Sequence, residues 1–236
     1  MKKSIRKNRL ATGIVVLFIG ASIASCDFIQ SLTSSDVANG LKEALRVSSD
    51  TSVSQLNRVD GYFLDNAVKI LLPEEIKAAE STIRLIPGAG SVLDNLILKM
   101  NRAAETAAKD ATPILWSAIS GITFSDAMAI LKGENDAATQ YLKSKTFTGL
   151  QNAFKPHIED ALTTVGAQQT WETVVGYYNQ IPLLPDANTD LAAFTTEKAL
   201  DGLFHKVAVE EGKIRTDINH QVTDLLRKVF GGKNDE

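Results

Sequence analysis

The chain has 236 residues, 44% of them apolar and 22% charged, with 25 basic against 28 acidic side chains and one cysteine, Cys26. A single cysteine excludes a disulfide within the chain. The acidic balance excludes a general nucleic-acid binder, whose affinity rests on neutralising phosphates with Lys and Arg.

The first residues read as a secretory signal. Lys2, Lys3, Arg6, Lys7 and Arg9 form a cationic start without an acid among them, an apolar run follows from Leu10 to about Ile23, and the small residues Ala24 and Ser25 precede Cys26. That is the charged, apolar and cleavage-region order of an export signal. The run is about 14 residues long, below the roughly 20 that a transmembrane helix needs. Ile23-Ala24-Ser25-Cys26 resembles the lipobox of bacterial lipoproteins, in which the cysteine thiol takes up a diacylglycerol and becomes the new N-terminus. A secreted protein with an incidental cysteine and an uncleaved short anchor are the alternatives. A free thiol on an exported chain favours the chemistry that consumes it. Cleavage before Cys26 removes five basic residues and no acidic one, leaving 20 against 28 and a net charge of −8. Such a domain gains nothing from electrostatic docking on anionic head groups.

The mature chain is laid out as a lipidated tether over 26–35, a helical domain over 36–231 and a polar tail over 232–236. Ser35 is a possible N-cap for a helix with Val37, Leu41, Ala44 and Leu45 on one face. Residues 58–63 are turn-like. Pro73 opens a helix to about Ile86, and Pro87 to Gly90 break it. The next stretch, Ser91 to about Lys109, carries Val92, Leu96, Met100, Ala103 and Ala107 at helical spacing. Pro113 starts another helix, and Thr123 or Ser125 caps a short one that ends at Lys132-Gly133. Residues 136–165 are helical, with a kink or break predicted at Pro156. Ala167 to Tyr178 is helical, and Ile181 to Asn188 is an extended connector. A long helix is predicted from about Thr195 to Thr216 and a last one from about Thr223 to Phe230. No stretch alternates with period two for long enough to make a strand, so the fold class is an all-α, single-domain multi-helix bundle.

No H-E-x-x-H or G-x-S-x-G occurs, and no cofactor signature. Gly88-Ala89-Gly90-Ser91 lacks the third glycine and the lysine of a phosphate loop and reads as a helix break. His157, His205 and His220 are scattered. The long helix near the C-terminus is more informative. With Leu200 at zero and 100° per residue, Leu203, Phe204, Val207 and Ile214 share one stripe, and Glu211 falls about 20° from its centre. A buried unpaired charge costs several kcal/mol, so Glu211 needs a partner: Arg215 one turn on, or Arg58, Arg84 or Arg102 from elsewhere. The alternatives are a ligand-contacting or proton-handling carboxylate, and a rotated helix that exposes it. Glu197, Asp201 and His205, four residues apart, form a polar flank that could also offer metal ligands. Asn101, Arg102 and Glu105 fall away from the main stripe of their helix and make either a solvated face or a second interface.

Asp60-Gly61-Tyr62-Phe63, Met100-Asn101-Arg102-Ala103-Ala104-Glu105, Ala137-Ala138-Thr139-Gln140-Tyr141-Leu142, Tyr178-Asn179-Gln180-Ile181-Pro182, the run from Thr196 to Phe204 and the run from Thr223 to Gly231 occur in that order. Together, over roughly 36–231, they resemble the bacterial family of domain of unknown function 4197. The resemblance implies a helical, envelope-associated single domain without an established activity, and it supplies no catalytic residues. It makes the polar members of those motifs better candidates for a shared network.

The reading is a membrane-anchored envelope lipoprotein facing the periplasm, with a non-enzymatic domain that binds an envelope protein or a small apolar ligand between helices. The rival is an enzyme acting on a cell-wall or lipid substrate with Glu105 or Glu211 as acid or base. Candidate residues for a buried polar network or ligand site are Arg58, Asp60, Arg102, Glu105, Asp201, Glu211 and Arg215. Cys26→Ala is expected to leave the protein unprocessed or free of the membrane. Fractionation and intact-mass measurement check this, and a mutant that stays membrane-bound at the processed size overturns the lipoprotein reading.

Overall fold

The computed structural model describes residues 33–230 apart from Asp186 and Asn188. The predicted signal peptide, Cys26, most of the tether and the tail lie outside the described residues. Within them are nine α-helices and two short 3₁₀ segments, without a strand. The helices are α1 (Ser34–Leu56), α2 (Glu74–Ile83), α3 (Ala89–Ala107), α4 (Thr112–Ser120), α5 (Phe124–Leu131), α6 (Ala137–Thr164), α7 (Ala167–Tyr178), α8 (Leu191–Thr216) and α9 (Asp224–Phe230). The all-α bundle read from periodicity is the observed architecture. No single described helix is long and apolar enough to cross a membrane.

Helix starts follow local capping chemistry. Thr33, not Ser35, caps α1: its hydroxyl accepts from the Asp36 amide at 3.1 Å while the Asp36 carboxylate accepts from the Thr33 amide at 3.0 Å. This reciprocal box satisfies two otherwise orphaned donors. The same Asp36 carboxylate accepts from Lys228 at 2.8 Å, tying α9 to the start of α1. The Lys228 bond, then the Thr33 bonds, pull its carboxyl down to about 2. Thr123 and Asp126 repeat the box at α5.

Two boundaries differ from the sequence reading. Helix α8 begins at Leu191, a turn before Thr195, because Asp190 caps it through the Ala193 amide at 2.9 Å. Lys155 of α6 holds that same carboxylate at 2.7 Å. Helix α6 runs unbroken through Pro156. Proline removes one intrahelical bond, but Pro156 and Asn152, whose carbonyl loses its donor, are both exposed, so the freed carbonyl is not sealed away from solvent.

The core runs through α3, where Leu93, Leu96, Met100, Ala103 and Ala104 are fully buried. Helix α8 packs along α6 and α1, α3 packs on α6 and α7, and α9 closes over α1. Residues 57–73 run irregularly between α1 and α2 and press against both α1 and α8. A Cβ on Gly61 would sit 2.5 Å from the carbonyl oxygens of Gln55 and Leu56, and one on Gly202 would sit 2.9 Å from the Tyr62 ring. The obstacle at Gly61 is backbone, which cannot swing aside as a side chain does. Gly61→Ala is therefore expected to destabilise the fold by about 2–3 kcal/mol, the scale of an overpacked core. Urea unfolding measures it as a lower midpoint at unchanged slope.

Candidate binding cleft and its buried carboxylates

Residues 57–73 lack regular structure; turns within the segment pair some of its amides, such as Gly61 with Arg58 and Val68 with Asp65, and those of Tyr62, Phe63 and Ile70 need partners from outside it. Helix α3 supplies them. The Asn101 side chain accepts from the Ile70 amide at 2.9 Å and donates to the Ile70 carbonyl at 2.8 Å, as a neighbouring strand would. Glu105 Oε1 accepts from the amides of Tyr62 and Phe63, each at 3.1 Å. Its Oε2 accepts from Arg102 Nη1 at 2.6 Å, and Arg102 Nη2 donates to Asp60 Oδ1 at 2.7 Å. Asp60 stands at φ 70°, a left-handed conformation that costs about 1–2 kcal/mol for a residue with a Cβ. The bond from Arg102 offsets that cost. Tyr62 completes the anchor by donating its hydroxyl to the Ala199 carbonyl of α8 at 2.8 Å. Burial, then the Glu105 charge, push its phenol far above the ordinary range. Of the two readings left open for Asn101, Arg102 and Glu105, the second interface is the observed one: Asn101 and Glu105 are buried.

Outside this anchor the segment borders a cleft of about 300 Å³, lined by Gln55, Arg58, Asp60, Leu64, Asn66 and Lys206 among others. Its charges are almost all matched. Asp60 holds Arg102, and Asp65 holds Lys206 in a very short contact that keeps the Asp65 carboxyl below its usual range. Just beyond, Glu210 accepts from Gln55 at 3.1 Å and pairs with Lys213 at 2.8 Å. Arg58 is the exception. It is exposed and makes no side-chain hydrogen bond or ion pair among the described residues.

The second buried carboxylate, Glu211, does a related task at the other end of α8. It is 2% exposed and accepts from the Ala138 amide at 3.0 Å, the Thr139 amide at 2.7 Å and the Thr139 hydroxyl at 2.6 Å. These amides belong to the first turn of α6, whose own N-cap residue, Asp136, makes no side-chain cap bond. Glu211 thus caps α6 from a different helix, with its charge at the positive end of the helix dipole. Arg215, itself 5% exposed, donates to Glu211 at 2.9 Å and to the Ile130 carbonyl at 3.2 Å. Among the arginines considered for Glu211, the local one is the partner.

The seven candidates therefore divide. Arg58, Asp60, Arg102 and Glu105 gather at the cleft and its anchor, Glu211 and Arg215 form the α6 cap, and Asp201 belongs to neither. Asp201 pairs instead with Lys143 of α6 at 2.9 Å, both side chains partly exposed. Arg84 is engaged by Glu80 and Asp94. Glu197, Asp201 and His205 do not gather: no group of three or more His, Cys, Asp or Glu suited to a metal ion occurs among the described residues. Sequence reasoning missed Gln55, Asp65, Asn66 and Lys206. Three lie in or beside the irregular segment and Lys206 lies on the polar side of α8, so periodicity says nothing about them.

Chemically, Glu105 and Glu211 have their lone pairs committed to amides and to an arginine. Neither is placed to exchange protons with a substrate. Glu211→Ala is expected to destabilise the fold by about 3–5 kcal/mol, because it strands a buried guanidinium and two amides. Asp201→Ala, which opens only a partly exposed pair, is expected to cost under about 1 kcal/mol. Denaturant unfolding of the two variants, side by side, checks the contrast.

Neither the curated proteins nor the solved structures offer a match to the chain. A family described as protein of unknown function (DUF4197) matches residues 31–231, which takes in the anchor, the cleft and the α6 cap alike. The chain belongs to that family.

Proposed function

We propose that this protein is a lipid-anchored, non-enzymatic binding module of the bacterial cell envelope, and that the cleft at Arg58, Asn66 and Lys206 is where it meets its partner. The lipid anchor rests on the N-terminal signal and the Cys26 motif. Thr33 lies seven positions beyond Cys26, a reach of at most about 25 Å at roughly 3.3–3.6 Å per extended residue. The domain would therefore work close to a membrane surface.

One observation carries the binding reading over the enzymatic one. The two buried carboxylates that an acid–base mechanism would recruit are spent on backbone amides, while an open polar cleft near one of them, Glu105, keeps an unpaired arginine. Catalytic carboxylates have to be reachable and free to change protonation; a binding cleft needs donors left over. The lining also bears on the kind of ligand. Five of the six side chains named above are charged or amide-bearing and the sixth is a leucine, so the cleft suits a polar group of a partner better than a small apolar molecule.

A photo-reactive residue in place of Asn66, in the full chain expressed in its own envelope, is expected to give a discrete cross-linked product. The same substitution at Thr173, exposed on α7, is the control. The same products from both positions, or none from Asn66, would remove the cleft as the binding site.

A further inference from the structure

We infer that a second cavity, at the start of α8, takes a lysine side chain of a peptide, with a neighbouring backbone carbonyl seated on Trp171. The cavity holds about 540 Å³ and lies between the last turns of α6, the first turns of α7 and the residues that lead into α8. It is separate from the Arg58 cleft, because Lys206 lies about 22 Å farther along α8 than Leu191 at the usual helical rise.

The sign of the ligand follows from the charge count. Glu159, Asp160 and Asp190 stand in the lining and no cation does. Lys155, just outside it, holds Asp190 at 2.7 Å and reaches Glu159 at 3.8 Å, so three carboxylates meet one ammonium, a net of −2. A wider circle does not close the deficit: Glu75, bound to Thr189, adds an acid where Lys99, bound to Gly166 and Thr170, adds a base. Asp190 spends its oxygens on the Ala193 amide and on Lys155. The Asp160 carboxylate has no hydrogen bond or ion pair among the described residues and is the free acceptor, with Glu159 beside it. These acids are not gathered for a metal ion, since no group suited to one occurs among the described residues.

Trp171 selects among organic cations. It is 6% exposed, it lines the cavity, and its indole N–H makes no hydrogen bond among the described residues. Nor is that nitrogen one of the sealed polar atoms left without a partner, which belong to Ser49, Thr195 and Gln221, so the N–H opens on the cavity that Trp171 lines. A largely buried donor of this kind calls for an acceptor, and an ammonium has none to offer. The ligand therefore needs a carbonyl close to its cation, as a lysine residue within a peptide has. Leu162 and Leu191, buried in the wall, can carry the lysine methylenes while the ammonium reaches the exposed acids. An amino sugar would set hydroxyls against those leucines instead.

The test uses the full chain, purified in detergent from its own membrane, with Trp116→Phe so that Trp171 is the sole tryptophan. Its emission is followed during titration with N-acetyl-Ala-Lys-Ala-amide and with the norleucine counterpart, which keeps the aliphatic stem and lacks the ammonium. The lysine peptide is expected to change the emission saturably and to bind about tenfold more tightly, the weight of one charge-assisted hydrogen bond. Asp160→Asn should abolish that preference at an unchanged melting temperature, while Asp224→Asn, which removes an exposed acid of α9, should preserve it. Equal binding of the two peptides, no emission change with either, or indifference to Asp160→Asn would each overturn the inference. Pentylamine binding as tightly as the lysine peptide would overturn the part given to Trp171 and leave a general amine site. Tighter binding of glucosamine would overturn the peptide and assign the cavity to an amino sugar.

Discussion

Backbone amides taken out of water need acceptors, and a neutral acceptor is weaker than a charged one. In this bundle two glutamates meet that need at two of the places where helical hydrogen bonding stops. Glu105 serves the irregular segment between α1 and α2, and Glu211 serves the first turn of α6. Each acceptor comes from a helix remote in sequence from the amides it satisfies, so each ties local chain direction to tertiary packing. Each also carries an arginine one turn away, Arg102 or Arg215, which balances its charge where water does not. Removing either carboxylate would leave two amides without their acceptor, and removing Glu211 would also strand the buried Arg215, which makes these the points on which the packing of α1, α3, α6 and α8 depends.

The two pairs are built alike but open differently. Arg215 turns its remaining donor inward, to the Ile130 carbonyl, and the cap closes on itself. Arg102 turns its remaining donor outward, to Asp60, and reaches the wall of a cleft. The outward arrangement holds Asp60 in a left-handed conformation and seats Tyr62 beneath it, against Gly202. The segment that borders the cleft is therefore rigidly supported from behind, which lowers the ordering cost of anything that binds in front of it. A rigid irregular segment on a helical frame is a common way for folds to present binding groups.

Electrostatics separates structural from available charge in the same region. Lys206 and Asp65 neutralise each other, as do Lys213 and Glu210, and these pairs fix the edges of the cleft without attracting a ligand. Arg58 makes no such pair, although Asp60 and Asp65 stand in the same lining, so the lining as a whole carries two cations and two carboxylates.

The sequence by itself determined the helices. Apolar spacing in α3, α6 and α8, caps at Thr123 and Pro73, and breaks at Pro87 to Gly90 and Gly166 are short-range signals that act within one or two turns. It also placed Glu211 on an apolar stripe, where an unpaired charge is costly, with Arg215 within reach as one of its possible partners. It mistook Ser35 for the cap that Thr33 provides and started α8 late, since several residues of capping type stand close together there and only geometry selects one. The segment 57–73 was legible only as a turn, for it has no period to read. That Asn101 and Glu105 face it, that Asp201 turns instead to Lys143, and that Arg58 is left without an ion pair at the cleft were decided by tertiary structure. Each depends on which helices lie side by side, and pairing between groups 31 to 58 residues apart leaves no trace in local spacing.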